Sequence, residues 1–135
     1  MTMKLVVIES PLSGDFERNV RYARLCVLDC LLNYNEAPYA SHLIYTQCLD
    51  DEIPEQRKLG MEAGFLWGMA ASKRVVYVDL GISGGMEMGV AKGMENGQTI
   101  FYRALPKALM DRLDDKHDDL GATEGFKQSV PKEAV

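Results

Sequence analysis

Val75–Ala91 reads VVYVDLGISGGMEMGVA, and the rest of the chain is organised around it. Val75, Val76, Tyr77 and Val78 are apolar and mostly β-branched or aromatic, which suits a strand buried on both faces. Asp79 stands where that strand ends, and Gly81, Ser83, Gly84 and Gly85 follow in a run too rich in glycine for regular structure. From Met86 the spacing turns helical: Met86, Val90 and Met94 recur every fourth residue, with the small Gly89, Ala91 and Gly93 between them. Asn96–Gly97 is a natural helix stop. A strand, a glycine turn and a helix in this order place backbone N–H groups and a positive helix end at the carboxyl edge of a sheet. Asp79 and Glu87 put a carboxylate on either side of the glycines.

A unit of the same order lies upstream. Lys4–Ile8 (KLVVI) predicts a buried strand, and residues 9–14 (ESPLSG) carry turn chemistry. Asp15 caps a helix whose apolar residues Phe16, Val20, Ala23, Val27, Cys30 and Leu31 run to Leu32. Ala37–Ser41 (APYAS) is a brief strand or extended segment, and His42–Ile53 is irregular, aromatic and acidic, a loop over the sheet edge. Pro54 opens a helix reaching Ala71, with an apolar stripe of Leu59, Ala63, Leu66, Trp67 and Ala70. Its Gly60, Gly64 and Gly68 cost helix propensity, which predicts close approach of another element, a second subunit being the candidate. Downstream, Thr99–Tyr102 is the last strand and Leu105–Leu113 a helix. The order β-α-β-α-β-α-β-α predicts a single-domain α/β fold, Rossmann-like or flavodoxin-like, with a parallel sheet and helices on both faces. The domain spans 1–113, and 114–135 form a polar C-terminal tail, mobile or docked at the periphery. If the strand at Lys4 and the strand at Val75 are neighbours at a switch point, the loops that follow them face one crevice.

Composition narrows the partners. The 135 residues suffice for one real core, and the net charge of −5 lacks the clustered Lys and Arg that a nucleic-acid duplex requires. A single nucleotide, held by backbone N–H groups, is still compatible. Cys26, Cys30 and Cys48 show no metal-ligand spacing; Cys26 and Cys30 share one helix face as small core residues. No metal is expected, because no CxxC or Cys/His ligand spacing occurs, and no cofactor is expected; neither GxGxxG nor GxxxxGK[ST] occurs, so neither a dinucleotide fingerprint nor a P-loop is supported. The residues before the first strand are too few for a signal peptide or membrane span, so a cytoplasmic location is the expectation.

Two carboxylates head the catalytic candidates. Glu87, in the first turn of its helix, is either a nucleophile or acid–base group aimed into the crevice, or a charge that favours the helix N-terminus by about 0.3–1 kcal/mol. Asp79 is either an acceptor for a base edge or ribose hydroxyl, or a turn-forming aspartate. Ser10, Ser13 and Gly14 either hold a phosphate or sugar or make an ordinary strand-to-helix turn. A histidine such as His42 is more often structural than catalytic, and Arg57 has Asp50, Asp51 and Glu55 as ready ion-pair partners. Met61, Met69, Met86, Met88 and Met94 read as core or interface filling.

Three blocks carry a family resemblance: KLVVIESPLSGDFERNVRYA (4–23), APYASH (37–42) and VVYVDLGISGGMEMGVAKGMENGQTI (75–100). They resemble the strand, small-polar loop and helix opening, the short proline segment, and the aspartate and serine–glycine–glutamate turn of the nucleoside 2-deoxyribosyltransferase superfamily. That group includes nucleotide N-glycoside hydrolases, and the likeness is closest to its small bacterial and phage domains. The resemblance implies a glutamate nucleophile, here Glu87, attacking the anomeric carbon and displacing the base, with Asp79 contacting base or sugar. Such double displacement follows the logic of retaining glycosidases. It implies substrate contacts from Ser10, Pro11, Ser13, Gly14, His42, Gly81, Ser83, Gly84 and Gly85, and a homo-oligomer, dimer or higher.

Three functions follow as expectations. The first is an N-glycosidase or deoxyribosyltransferase acting on a nucleoside or nucleoside monophosphate. The second is a sensor or sponge that binds a nucleotide or ADP-ribose-like signal without cleaving it. The third is an interaction module with an inert crevice. Glu87 discriminates: a nucleophile must line the crevice within about 3–3.5 Å of the reacting carbon.

Overall fold

Residues 2–118 and 120 are described by a computed structural model. Four strands, β1 (Lys4–Glu9), β2 (Glu36–Tyr39), β3 (Lys73–Tyr77) and β4 (Thr99–Arg103), form one parallel sheet in the order β2-β1-β3-β4. The helices are α1 (Phe16–Asn33), α2 (Pro54–Gly68), α3 (Gly84–Glu95) and α4 (Lys107–Met110). This is the predicted single-domain α/β fold, and the strand order is that of the first four strands of the flavodoxin-like doubly wound sheet. The chain leaves β1 toward β2 on one side and reaches β3 on the other, so β1 and β3 are neighbours at the switch point.

The parity of the strands separates two faces. Val6, Ile8, Val75 and Tyr77 point toward α1 and bury against Tyr22, Leu25, Cys26 and Cys30, with Leu105 and Leu113 closing the end of that layer. Each large apolar side chain buried there is worth about 1.5–3 kcal/mol. Within the same layer the Tyr77 hydroxyl donates to Asp29 (2.8 Å) and accepts from Arg103 (3.2 Å), which in turn donates to Glu36 (2.9 Å). Val7, Glu9 and Arg74 lie on the other face, against Gly68 of α2 and Gly89 and Gly93 of α3.

Local chemistry sets the helix starts. The Asp15 carboxylate accepts from Arg18 N–H (3.3 Å) at the head of α1, and the Ser83 hydroxyl accepts from Met86 N–H (3.3 Å) at the head of α3. Pro54 opens α2, as its fixed φ favours. Asn35, at φ +50°, turns the chain from α1 into β2.

Several boundaries differ from expectation. β3 begins at Lys73 and ends at Tyr77, because Arg74 is buried in the strand by a charged partner that no apolar pattern signals. α3 begins at Gly84, since Ser83 caps it. α2 stops at Gly68, and its faces are the reverse of the predicted ones: Gly64 and Gly68 are buried while Leu59, Leu66 and Trp67 are exposed. The close approach that the glycines permit is made within the chain. A Cβ on Gly60 would meet Leu49, one on Gly64 would meet Ser41, and one on Gly68 would meet Val7. The candidate second subunit at the glycines is therefore replaced by the segment before α2 and by β1. That segment is not a plain loop; it holds two 3-10 turns, Ser41–Leu43 and Tyr45–Gln47. α4 is a single turn within the predicted 105–113 helix. The start of the tail docks on α1, through Arg18 to Asp114 (2.9 Å) and Arg21 to Asp118 (3.6 Å); residue 119 and residues 121–135 lie outside the described residues.

Candidate functional site

The loops after β1 and β3 meet over the sheet edge, and a cavity of about 190 Å³ opens between them. β1 and its loop contribute Val7, Glu9, Ser10, Leu12 and Ser13. The segment with the 3-10 turns contributes Ser41, His42, Tyr45, Thr46 and Leu49, and α2 contributes Gln56, Arg57, Met61 and Phe65. Arg74 comes from β3, and Ser83, Gly85, Met86 and Gly89 come from the head of α3. The lining is rich in hydroxyls and holds both signs of charge, the profile of a polar-ligand site.

The β1 loop is held from below. Asn19, inside α1, donates through its side-chain amide to Leu12 O (3.1 Å) and Ser13 O (2.9 Å). Gly14 closes the turn at φ +97°, where a side chain would be strained. Ser10, itself buried, shares a 2.7 Å hydrogen bond with His42 Nε2, which ties this loop to the segment opposite. Burial pushes the His42 imidazole down to about 4, so the ring is neutral at physiological pH.

Glu9 is the carboxylate on the cavity floor. Its side chain is 16% exposed and pairs with Arg74, which is 5% exposed. Arg74 is fixed in turn by Gln98 Oε1 (2.9 Å), and the Gln98 amide donates to Gly68 O (2.8 Å) and Ala71 O (2.9 Å). α3 makes room for this chain of polar groups with two glycines. A Cβ on Gly89 would fall inside the Glu9 carboxylate, and one on Gly93 would press on Arg74 and Gln98. Burial raises the Glu9 carboxyl to about 7, outweighing the opposing pull of Arg74. A carboxyl poised near neutrality in a cleft is the arrangement that proton transfer requires.

Of the expected site residues, Ser10, Ser13, His42, Ser83 and Gly85 line the cavity together. Pro11, Gly14, Gly81 and Gly84 do not; Pro11 is buried, Gly14 and Gly81 (φ +87°) serve turns, and Gly84 faces open space. Asp79 and Glu87 also lie outside the cavity lining. The Asp79 carboxylate accepts from the Tyr22 hydroxyl (2.7 Å) and Leu105 N–H (2.9 Å), both in the α1 layer, so it ties β3 to α1 and to the chain after β4. Glu87 is exposed. Gly89 faces the sheet, and two residues along a helix turn a side chain by about 200°. Among the described residues the Glu87 carboxylate has neither an ion pair nor a hydrogen bond, and it stands as the charge that favours the helix N-terminus.

Glu9 was legible in the sequence only as the first residue of a polar loop. The signal that could have found it is the pairing of a glutamate at a buried strand end with an arginine inside the neighbouring buried strand. Arg57 lines the rim, and among the described residues it makes none of its expected ion pairs with Asp50, Asp51 or Glu55. Among the described residues no cluster of three or more His, Cys, Asp or Glu side chains is placed to hold a metal ion, and no helix is long and apolar enough to cross a membrane.

Residues 4–103 match the family described as Domain of unknown function (DUF7768). No curated protein and no solved structure matches the chain.

Proposed function

The chain belongs to the DUF7768 family, and we propose that its crevice takes a nucleoside or nucleoside monophosphate and that the protein cleaves the N-glycosidic bond, as a hydrolase or transferase. The observation that carries this reading is the meeting of the β1 and β3 loops over one hydroxyl-rich cavity at the switch point, where doubly wound sheets bind their ligands. Ser10, Ser13 and Ser83 offer hydroxyls to a sugar, and the head of α3 offers its N-terminal end to an anion. Arg57 brings a cation to the rim, where a phosphate would sit. The resemblance of the three sequence blocks to nucleoside 2-deoxyribosyltransferases supports the same chemistry.

A second reading is binding without cleavage, as a sensor or sponge for a nucleotide or ADP-ribose-like signal. One observation favours it: Glu87, the nucleophile that the resemblance implies, stands outside the cavity. Incubation with a panel of nucleosides and nucleoside monophosphates, scored for free base by chromatography, separates the two. Base release supports the first reading. A rise in melting temperature with no base release supports the second, and neither response from any panel member contradicts both.

The proposal includes a homo-oligomer. Leu59, Leu66 and Trp67, exposed on the outer side of α2, replace the glycines as the surface a second copy would cover.

A further inference from the structure

We propose that Glu9 is the catalytic carboxylate of this site, acting first as general acid toward the departing base and then as general base toward water. The assignment rests on the N-glycosidic reading above and names the group that performs it.

Glu9 is the glutamate that lines the cavity among the described residues. Its position is over-determined: the strand end delivers it, the notch at Gly89 admits it, and Arg74 holds it while Gln98 holds Arg74. Among the described residues Arg74 is the one donor that reaches the carboxylate, so it retains acceptor capacity toward the cavity. Asp51, the other carboxylate of the lining, is exposed at the rim. A purely structural ion pair has no need of cavity access, yet Glu9 and Arg74 both line the wall. The raised Glu9 carboxyl, at about 7, fits the role, since both protonation states are populated near neutrality.

The step balances with water as co-reactant. The Glu9 carboxylic acid gives its proton to a ring nitrogen of the base as the C1′–N bond breaks, and the bonding pair leaves with the base. Arg74 stabilises the carboxylate left behind. Water attacks the cationic anomeric carbon, forming the new C–O bond, and its proton passes to Glu9. One N-glycoside and one water become free base and free sugar, with Glu9 protonated again.

The test measures base release from the panel by wild type, Glu9→Gln, Glu87→Gln and the double variant Glu9→Ala/Gly89→Glu, with melting temperatures to confirm folding. Glu9→Gln should lower kcat by about 10²–10⁴-fold. The wild-type rate should fall as pH rises through about 7, and that limb should vanish from the residual rate of Glu9→Gln. The double variant returns a carboxylate beside Arg74 from α3 and should regain part of the lost rate together with the pH limb; a melting temperature restored without that limb would mean that Glu9 serves only to pair Arg74 and would overturn the assignment. Base release kept in Glu9→Gln and lost in Glu87→Gln would overturn the assignment and return the chemistry to Glu87. Base release indifferent to both would overturn the assignment alone. A folded wild type that releases no base from any panel member would remove the N-glycosidic reading, and Glu9 with it.

Discussion

Two titrating groups in one cavity pull in opposite directions. The folded state holds the Glu9 proton up to about pH 7 against an ordinary 4.5, so folded protein binds more protons than unfolded across that window and stability falls as pH rises through it. The folded state keeps His42 neutral down to about pH 4 against an ordinary 6.5, so stability rises as pH climbs through that window. The two slopes largely cancel between pH 4.5 and 6.5 in the wild type. Glu9→Gln removes the falling slope and keeps the rising one of His42, so stability in urea should rise with pH there, with His42 contributing up to about 1.4 kcal/mol per pH unit. In His42→Gln the sign should reverse. A wild-type slope as steep as either variant's would contradict the pairing of these shifts. Asp79 belongs to the same scale but to the scaffold. Asp79→Ala leaves the Tyr22 hydroxyl and Leu105 N–H without their acceptor and should cost about 1–3 kcal/mol in denaturant unfolding.

At the scale of the element, glycines of similar appearance in the sequence divide into two kinds. Gly64 and Gly93 mark contacts: Gly64→Ala would set a Cβ 2.9 Å from Ser41 Cβ, and Gly93→Ala one 2.7 Å from Arg74 Nε. Each should cost about 1–3 kcal/mol by overpacking. Gly84 has nothing within 4 Å, and Gly84→Ala in the first turn of α3 should be neutral or stabilise by up to about 1 kcal/mol. Thermal unfolding of the three variants checks the contrast. The same division explains what the sequence made legible. The Val75 unit and the Lys4 unit announce strand, turn and helix through local chemistry alone, and the four strands and their order along the chain follow from it. The face of α2 was not legible, because a helix that packs through glycines leaves its large apolar residues outside, the reverse of what apolar periodicity implies. Part of the site was legible, as Ser10, Ser13, His42, Ser83 and Gly85 lie on the loops that the motifs mark. Glu9 and Arg74 were not, since a buried charge pair across two strands leaves no periodic trace in either strand.

For the whole molecule, topology assembles the crevice. Reversing direction between β1 and β3 brings two polar loops, a neutral histidine and a buried carboxylate to one sheet edge, while the opposite face keeps the apolar core. The proposed function has this crevice bind a nucleoside or nucleoside monophosphate, and the ligand-induced shift in melting temperature of wild type and of Ser13→Trp tests it. Ser13 is exposed at the cavity wall, so tryptophan there should block the crevice with little effect on the core. A ligand at one hundred times its Kd adds about 2.7 kcal/mol of stability, which is readily resolved. At least one panel member should raise the wild-type melting temperature, and the rise should disappear in Ser13→Trp. A rise that survives in Ser13→Trp would place the ligand elsewhere on the molecule, and no rise with any panel member would contradict the claim itself.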